Sequence, residues 1–128
     1  MRPFCHTAEM VKHYTKLGFW GNPVYCEVWD QNALSYGARE DLVDSRGRGV
    51  TWETAKKMSD RLALGFLELG FKRDDVIVIQ LPNICEHLII RVACQKAGIL
   101  CLPVGLGVRE AELKQVFELT NATGIVIN

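Results

Sequence analysis

Apolar residues in the first third of the chain recur every three or four positions. Over residues 8–17, AEMVKHYTKL, Met10, Val11, Tyr14 and Leu17 fall on one side of a predicted short amphipathic helix. Gly18 ends it, and Phe19-Trp20-Gly21-Asn22-Pro23 reads as a turn with two large aromatics to bury. A second helix is predicted from Val24 to Tyr36, with Val24, Val28, Trp29 and Leu34 as its apolar members and Gly37 as its stop. The pattern then shortens. DLVDSRGRGVTW, 41–52, predicts a hairpin of strands 41–44 and 49–51 around Ser45-Arg46-Gly47-Arg48. Thr51 is suited to cap the next helix, 52–69, whose stripe is Trp52, Ala55, Met58, Leu62, Phe66 and Leu69.

From residue 75 the text alternates between short apolar runs and helical stretches. Strand 75–81 is followed by Pro82 and Asn83, with Asn83 placed to cap a helix over 84–97 and Glu86 three residues on. That helix is apolar over much of its circumference, so it needs cover on more than one side. Gly98 is its stop, strand 99–103 follows, and the loop 104–108 leads to a helix over 109–120. Ala111, Leu113, Val116, Phe117 and Thr120 are its expected inward members, and a last strand begins at 125–127. The predicted fold class is therefore α/β: a βαβαβ unit with a three-stranded parallel sheet flanked by helices, preceded by helices and a β-hairpin. Residues 1–23 read as a leader helix and aromatic turn, and 24–128 as the α/β subdomain.

Composition narrows the function classes. The 128 residues are 48% hydrophobic, and 15 basic residues balance 15 acidic ones, so no charge footprint for nucleic acid or an anionic membrane exists. The longest apolar runs, 76–81 and 99–104, fall far short of the roughly 20 residues of a membrane span. MRPFCHTAEM lacks the apolar segment of a signal peptide, which predicts a cytoplasmic protein. Cys5, Cys26, Cys85, Cys94 and Cys101 are odd in number and contain no CxxC, so buried inert thiols are expected rather than a disulfide frame or a zinc site. Asn121-Ala122-Thr123 matches a glycosylation sequon by chance.

Candidate chemistry is sparse. The glycines and arginines of 45–48 join two antiparallel strands and no GK[ST] follows, so a hairpin turn is the reading rather than a phosphate loop. Gly105 and Gly107 form the one GxG near a strand end, but it lacks the third glycine and the downstream acid of a dinucleotide fingerprint. His6 and His13 have no companion ligands, and His87 reads as a satisfied, half-buried histidine. Ser35, Ser45 and Ser59 sit in no GxSxG elbow, and Asp74 and Asp75 read as solvated. Lys96 belongs to a helix end rather than to a phosphate site.

The order of segments says more. Val50-Thr51-Trp52-Glu53-Thr54-Ala55 resembles the "(L/V)T(Y/W)xEL" opening of the adenylate-forming enzymes. These are the acyl- and aryl-CoA synthetases, aryl-acid–AMP ligases, luciferases and nonribosomal adenylation domains. Ser59-Asp60-Arg61-Leu62-Ala63 resembles their "S(D/N)RLA", and residues 69–76 resemble "LGVKxGDxV". Leu81-Pro82-Asn83 matches "LPN", and Lys96-Ala97-Gly98 with Leu102-Pro103 matches "KAGxxxVP". Ala8-Glu9, Tyr14, Gly18, Trp20 and Gly21 are similar to the leader of aryl-acid–AMP ligases and some acid–CoA ligases.

The resemblance implies the N-terminal part of a ligase that joins a carboxylate to the α-phosphate of Mg-ATP and then passes the acyl group to the thiol of CoA or a carrier protein. The family's phosphate loop, its adenine, ribose and metal motifs and its catalytic lysine all lie downstream of the matched positions. No catalytic, cofactor-binding or metal-binding residue is therefore carried onto this chain, and the segment alone is expected to be inactive. Two other readings remain: a stand-alone binding or scaffold module of the same fold, and a flavodoxin-like nucleotide binder. The expected partners are the remainder of the ligase, or a second copy held through an exposed sheet edge or apolar face.

Overall fold

The computed structural model describes residues 6–21 and 23–128, so Cys5, Asn22 and residues 1–5 of the expected leader lie outside the described residues. Among the described residues, five helices and five strands follow one another in the predicted order. They are α1 (Ala8–Lys16), α2 (Tyr25–Tyr36), β1 (Glu40–Val43), β2 (Gly49–Thr51), α3 (Trp52–Glu68), β3 (Val76–Gln80), α4 (Cys85–Ala97), β4 (Leu100–Pro103), α5 (Glu110–Thr120) and β5 (Gly124–Ile127). β1 and β2 form the antiparallel hairpin, and the parallel sheet has the order β4-β3-β5.

The sheet is built around β3. Ile77, Val78 and Ile79 are 1%, 0% and 0% exposed, which makes β3 the fully covered centre. Ile77 and Ile79 pack with Ala63 and Phe66 of α3, Ile90, Ala93 and Cys94 of α4, and Ile99. A second cluster joins Trp29 of α2, Val50 of β2 and Ala55 of α3 to Cys85, Ile89 and Val92 of α4. Helix α4 belongs to both clusters, which is why its sequence is apolar around most of its girth.

Local chemistry explains several boundaries. The Thr51 hydroxyl accepts the Thr54 N–H at 3.3 Å, capping α3 as its sequence predicts. Gly98 ends α4 in the left-handed region at φ 74°, with its N–H on Cys94 and Gln95 carbonyls. In the hairpin turn the Asp44 carboxylate accepts the N–H groups of Arg46 (2.8 Å) and Arg48 (3.0 Å), so Asp44 closes the turn rather than ending the strand.

Other expectations are corrected. Asn83 does not cap α4: Ile84 occupies the N-cap without a side-chain bond, because the Ile84 N–H turns back to the Pro82 carbonyl and the helix starts at Cys85. On α2 the buried positions are Trp29 and Ala33, one turn apart, while Val24, Val28 and Leu34 stay exposed. The helix turns Trp29 inward against Val50 of β2, Ala55 of α3 and Ile89 of α4, so its other apolar residues lie away from the core. Leu69 at the end of α3 is 78% exposed, and the buried stripe runs through Ala55, Ser59, Ala63 and Phe66 instead. Ala111 on α5 is exposed, while Leu113, Val116, Phe117 and Thr120 are half-buried. Phe19 is 73% exposed, whereas Trp20 is half-buried against the Tyr14 ring at 5.1 Å. No residue of α1 is buried, and Val11 and Leu17 of its expected apolar side are exposed.

Two glycines should answer substitution with opposite sign. At Gly98 an added Cβ meets only ordinary contacts with Arg73, the nearest at 3.5 Å, so Gly98→Ala costs only backbone strain. The loss should be roughly 1–2 kcal/mol. Gly65 lies inside α3 with nothing near an added Cβ, so Gly65→Ala should gain roughly 0.5–1 kcal/mol. Urea midpoints of the two variants, moving in opposite directions, check this pair.

Candidate functional site

In open parallel sheets a ligand sits beyond the carboxyl ends of the strands, where helix N-termini supply N–H groups. Here that end is formed by Leu81 after β3, the loop 104–108 after β4, and Asn128 after β5. Gln80 holds the loop from below: its side-chain amide donates to the carbonyls of Gly105 (3.0 Å) and Val108 (2.8 Å). The GxG segment is thus a tethered connection rather than an open cradle.

Both helix starts at this end are occupied by acid. Glu112 in the first turn of α5 accepts the Arg109 N–H at 2.9 Å, and Glu110 stands beside it. Glu86 in the first turn of α4 pairs with the Arg48 guanidinium of the hairpin turn. A phosphate placed at either helix start would meet carboxylates, so the residues present do not fit ATP. The concavity at this end, about 420 Å³, is shallow and is lined by Arg46, Arg48, Leu81, Glu86, Ile90 and Val126, among others.

The remaining candidates are dispersed. His6 and His13 are exposed, and among the described residues no group of three metal-ligating side chains exists. His87 is half-buried, but its Nε2 has no hydrogen-bond partner, so it is not the satisfied histidine its position suggests. The Ser59 hydroxyl is fully buried and donates to the Lys56 carbonyl at 2.9 Å, which removes it as a nucleophile. Ser35 and Ser45 are exposed on separate elements. Asp74 is exposed, while Asp75 is half-buried and accepts the Lys72 N–H at 2.7 Å. Cys85 and Cys94 are buried thiols, and Cys26 and Cys101 are half-buried; all four are free. Burial pushes the Cys94 thiol up to about 12 and also raises Cys85, so neither forms a thiolate near neutral pH.

What the fold does gather is an ion cluster between three helices. The Lys96 ammonium on α4 bonds both Asp30 on α2 and Asp60 on α3, each at 2.5 Å. Lys56 on α3 joins from the other side, 2.6 Å from Asp60 and 3.6 Å from Asp30. Lys96 is only 12% exposed, so its charge is largely desolvated and loss of its partners would leave it uncompensated. Burial alone would raise the Asp60 carboxyl, but the hydrogen bonds and charges of Lys56 and Lys96 outweigh it and hold it below the usual range. The Lys56 ammonium is raised in turn, chiefly by its bond to Asp60. The Lys56–Asp60 spacing of four was readable in the sequence. The convergence of positions 30, 60 and 96 was not.

The layered βαβαβ unit with its hairpin defines an α/β fold built on a short parallel sheet. The AMP-binding enzyme family model matches residues 29–128, and the chain belongs to that family. A medium-chain fatty-acid–CoA ligase of Escherichia coli (strain K12) is 32% identical over 109 residues, 85% of this chain and 19% of that protein. A salicyl-AMP ligase / salicyl-S-ArCP synthetase of Mycobacterium tuberculosis is 28% identical, over 94% of this chain and 22% of that protein. The apo structure of Mycobacterium smegmatis MbtA superposes with a TM-score of 0.84 at 25% identity, covering 94% of this chain and 23% of that one. The chain spans about a fifth of the length of the curated relatives it matches, and it corresponds to their N-terminal part.

Because Lys96 joins α4 to two other helices, Lys96→Met should lower stability at pH 7 by about 1–2 kcal/mol, after screening of carboxylates that are more than a third exposed. A carboxyl whose folded pKa is depressed contributes stability above its unfolded value and loses it as the pH falls through the folded one. The gap between wild type and Lys96→Met should therefore be full at pH 7 and close as the pH falls below about 4. Urea titrations at stepped pH measure it.

Proposed function

We propose that this chain forms the N-terminal α/β portion of an ATP-dependent acid–thiol ligase. In the whole enzyme a carboxylate would attack the α-phosphate of Mg-ATP, and the acyl group of the adenylate would pass to the thiol of CoA or of a carrier protein. The observation that carries this reading is the family match across residues 29–128, joined to relatives whose names are those of acid–CoA and acid–AMP ligases.

The residues of this segment serve the reaction indirectly. They contribute no group for the phosphates, since Glu86 and Glu112 occupy the helix starts that face the carboxyl end of the sheet. Their part is a stiff platform: β3 buried on both faces, with α4 clamped by Lys96 to α2 and α3. On such a platform the groups that bind ATP, the acid and the thiol come from residues outside the segment, which keeps substrate choice separate from the scaffold.

The 128-residue chain should give no acid-dependent ATP–pyrophosphate exchange with medium-chain fatty acids or with salicylate as probes, while remaining folded by far-UV circular dichroism. Exchange above the no-acid blank would overturn the reading. Sequencing the transcript past codon 128 should show a Ser/Thr/Gly-rich loop with a lysine. A stop codon there would favour a non-catalytic module of the same fold.

A further inference from the structure

We propose that α2 is a separately opening strap. It leaves and regains its seat on α3 and α4 while the hairpin, the sheet and the later helices stay folded, and the Asp30 carboxylate is the latch that holds it seated.

The seat combines one apolar peg with one charge. α2 buries two of its residues, Trp29 and Ala33. The Trp29 ring stands edge-on to Trp52 at 5.0 Å and joins the cluster of Val50, Ala55, Ile89 and Val92. That peg is seated at a cost. Its buried indole Nε1 has no hydrogen-bond partner, and it regains one from water when α2 opens. Beside the peg lies the charge. Asp30 bonds Lys96 of α4 at 2.5 Å and stands 3.6 Å from Lys56 of α3. Both contacts cross from α2 to the body, so both are lost when α2 leaves. The Asp60 bonds to the same two lysines lie within α3 and between α3 and α4, and they survive.

The fold also supplies a hinge. From Gly37 onward the chain is fastened to the start of α3. The Glu53 N–H donates to the Gly37 carbonyl at 3.1 Å, and the Trp52 N–H donates to the Arg39 carbonyl at 3.0 Å. The opening therefore stops between Tyr36 and Gly37. Freed α2 does not persist as a helix. Its 12 residues are at the lower limit for a helix alone in water, and YCEVWDQNALSY holds only Glu27, Gln31, Ala33 and Leu34 as strong helix formers. Its amides then exchange with solvent while those of the fully buried β3 stay protected. The contacts that seat and hinge α2 lie within residues 25–96, and the inference does not rest on the ligase reading.

Native-state hydrogen exchange of the 128-residue chain, read by NMR one amide at a time, tests the strap. The amides of Trp29 and Ala33 should be at least about tenfold less protected than those of Val78 and Ile79. Asp30→Asn should speed exchange at Trp29 and Ala33 by roughly threefold to tenfold, with the far-UV spectrum unchanged. Asp60→Asn removes bonds that belong to the body, so it should speed Val78 and Ile79 but not Trp29 or Ala33. Equal protection of the two sets in the wild type overturns the proposal, since the chain then opens as one unit. So does an Asp30→Asn chain in which α2 exchanges as before, or an Asp60→Asn chain in which both sets speed up alike.

Discussion

The fold depends on the burial of one five-residue strand. VIVIQ at 76–80 places three residues in complete burial, and both neighbouring strands pair only with it. A parallel strand covered on both faces cannot alternate apolar with polar, so its continuous apolar run is the sequence form of its position. Helices α3 and α4 pack over the Ile77 and Ile79 side, and each end of the strand is tied to a connection. Leu100 donates to Asp75 at one end, and Gln80 holds the 104–108 loop at the other. Shifting this strand by one residue would exchange its faces and undo both ties.

Around that strand the chain divides its apolar surface between two clusters, and α4 is the shared wall. One side of α4 meets the sheet through Ile90, Ala93 and Cys94, and another meets the hairpin and α2 through Cys85, Ile89 and Val92. Lys96 extends the second side with charge in place of hydrocarbon. Its two carboxylate partners come from helices that precede it by 66 and 36 residues. The cluster therefore joins elements that the chain visits at widely spaced times, and it counts toward cooperativity more than toward local helix stability.

Much of this was legible in the sequence where a local rule decides the outcome. Thr51 before an amphipathic run, Gly98 after one, and a run of branched residues at 76–79 each have one favourable conformation. The failures share a different cause. Val28 and Leu34 look like core residues by spacing, but the number of neighbours α2 has is a property of the whole fold. Asn83 has the right chemistry for a cap, yet the preceding proline shifts the helix start by a residue. Lys96 stands in the last turn of α4 as its sequence predicts, but its ion pairs depend on three helices meeting. The site followed the same pattern. The pairing of Glu86 with Arg48, 38 residues apart in the chain, required the structure.

Pro103 carries a consequence for how matter accumulates. A sheet with two open edges can recruit a neighbour on each side, and such growth has no natural end. One missing N–H, at Pro103, weakens the β4 edge as a template for a further strand. Open-ended growth through the β4 edge is thereby disfavoured, and with it the route to a fibre.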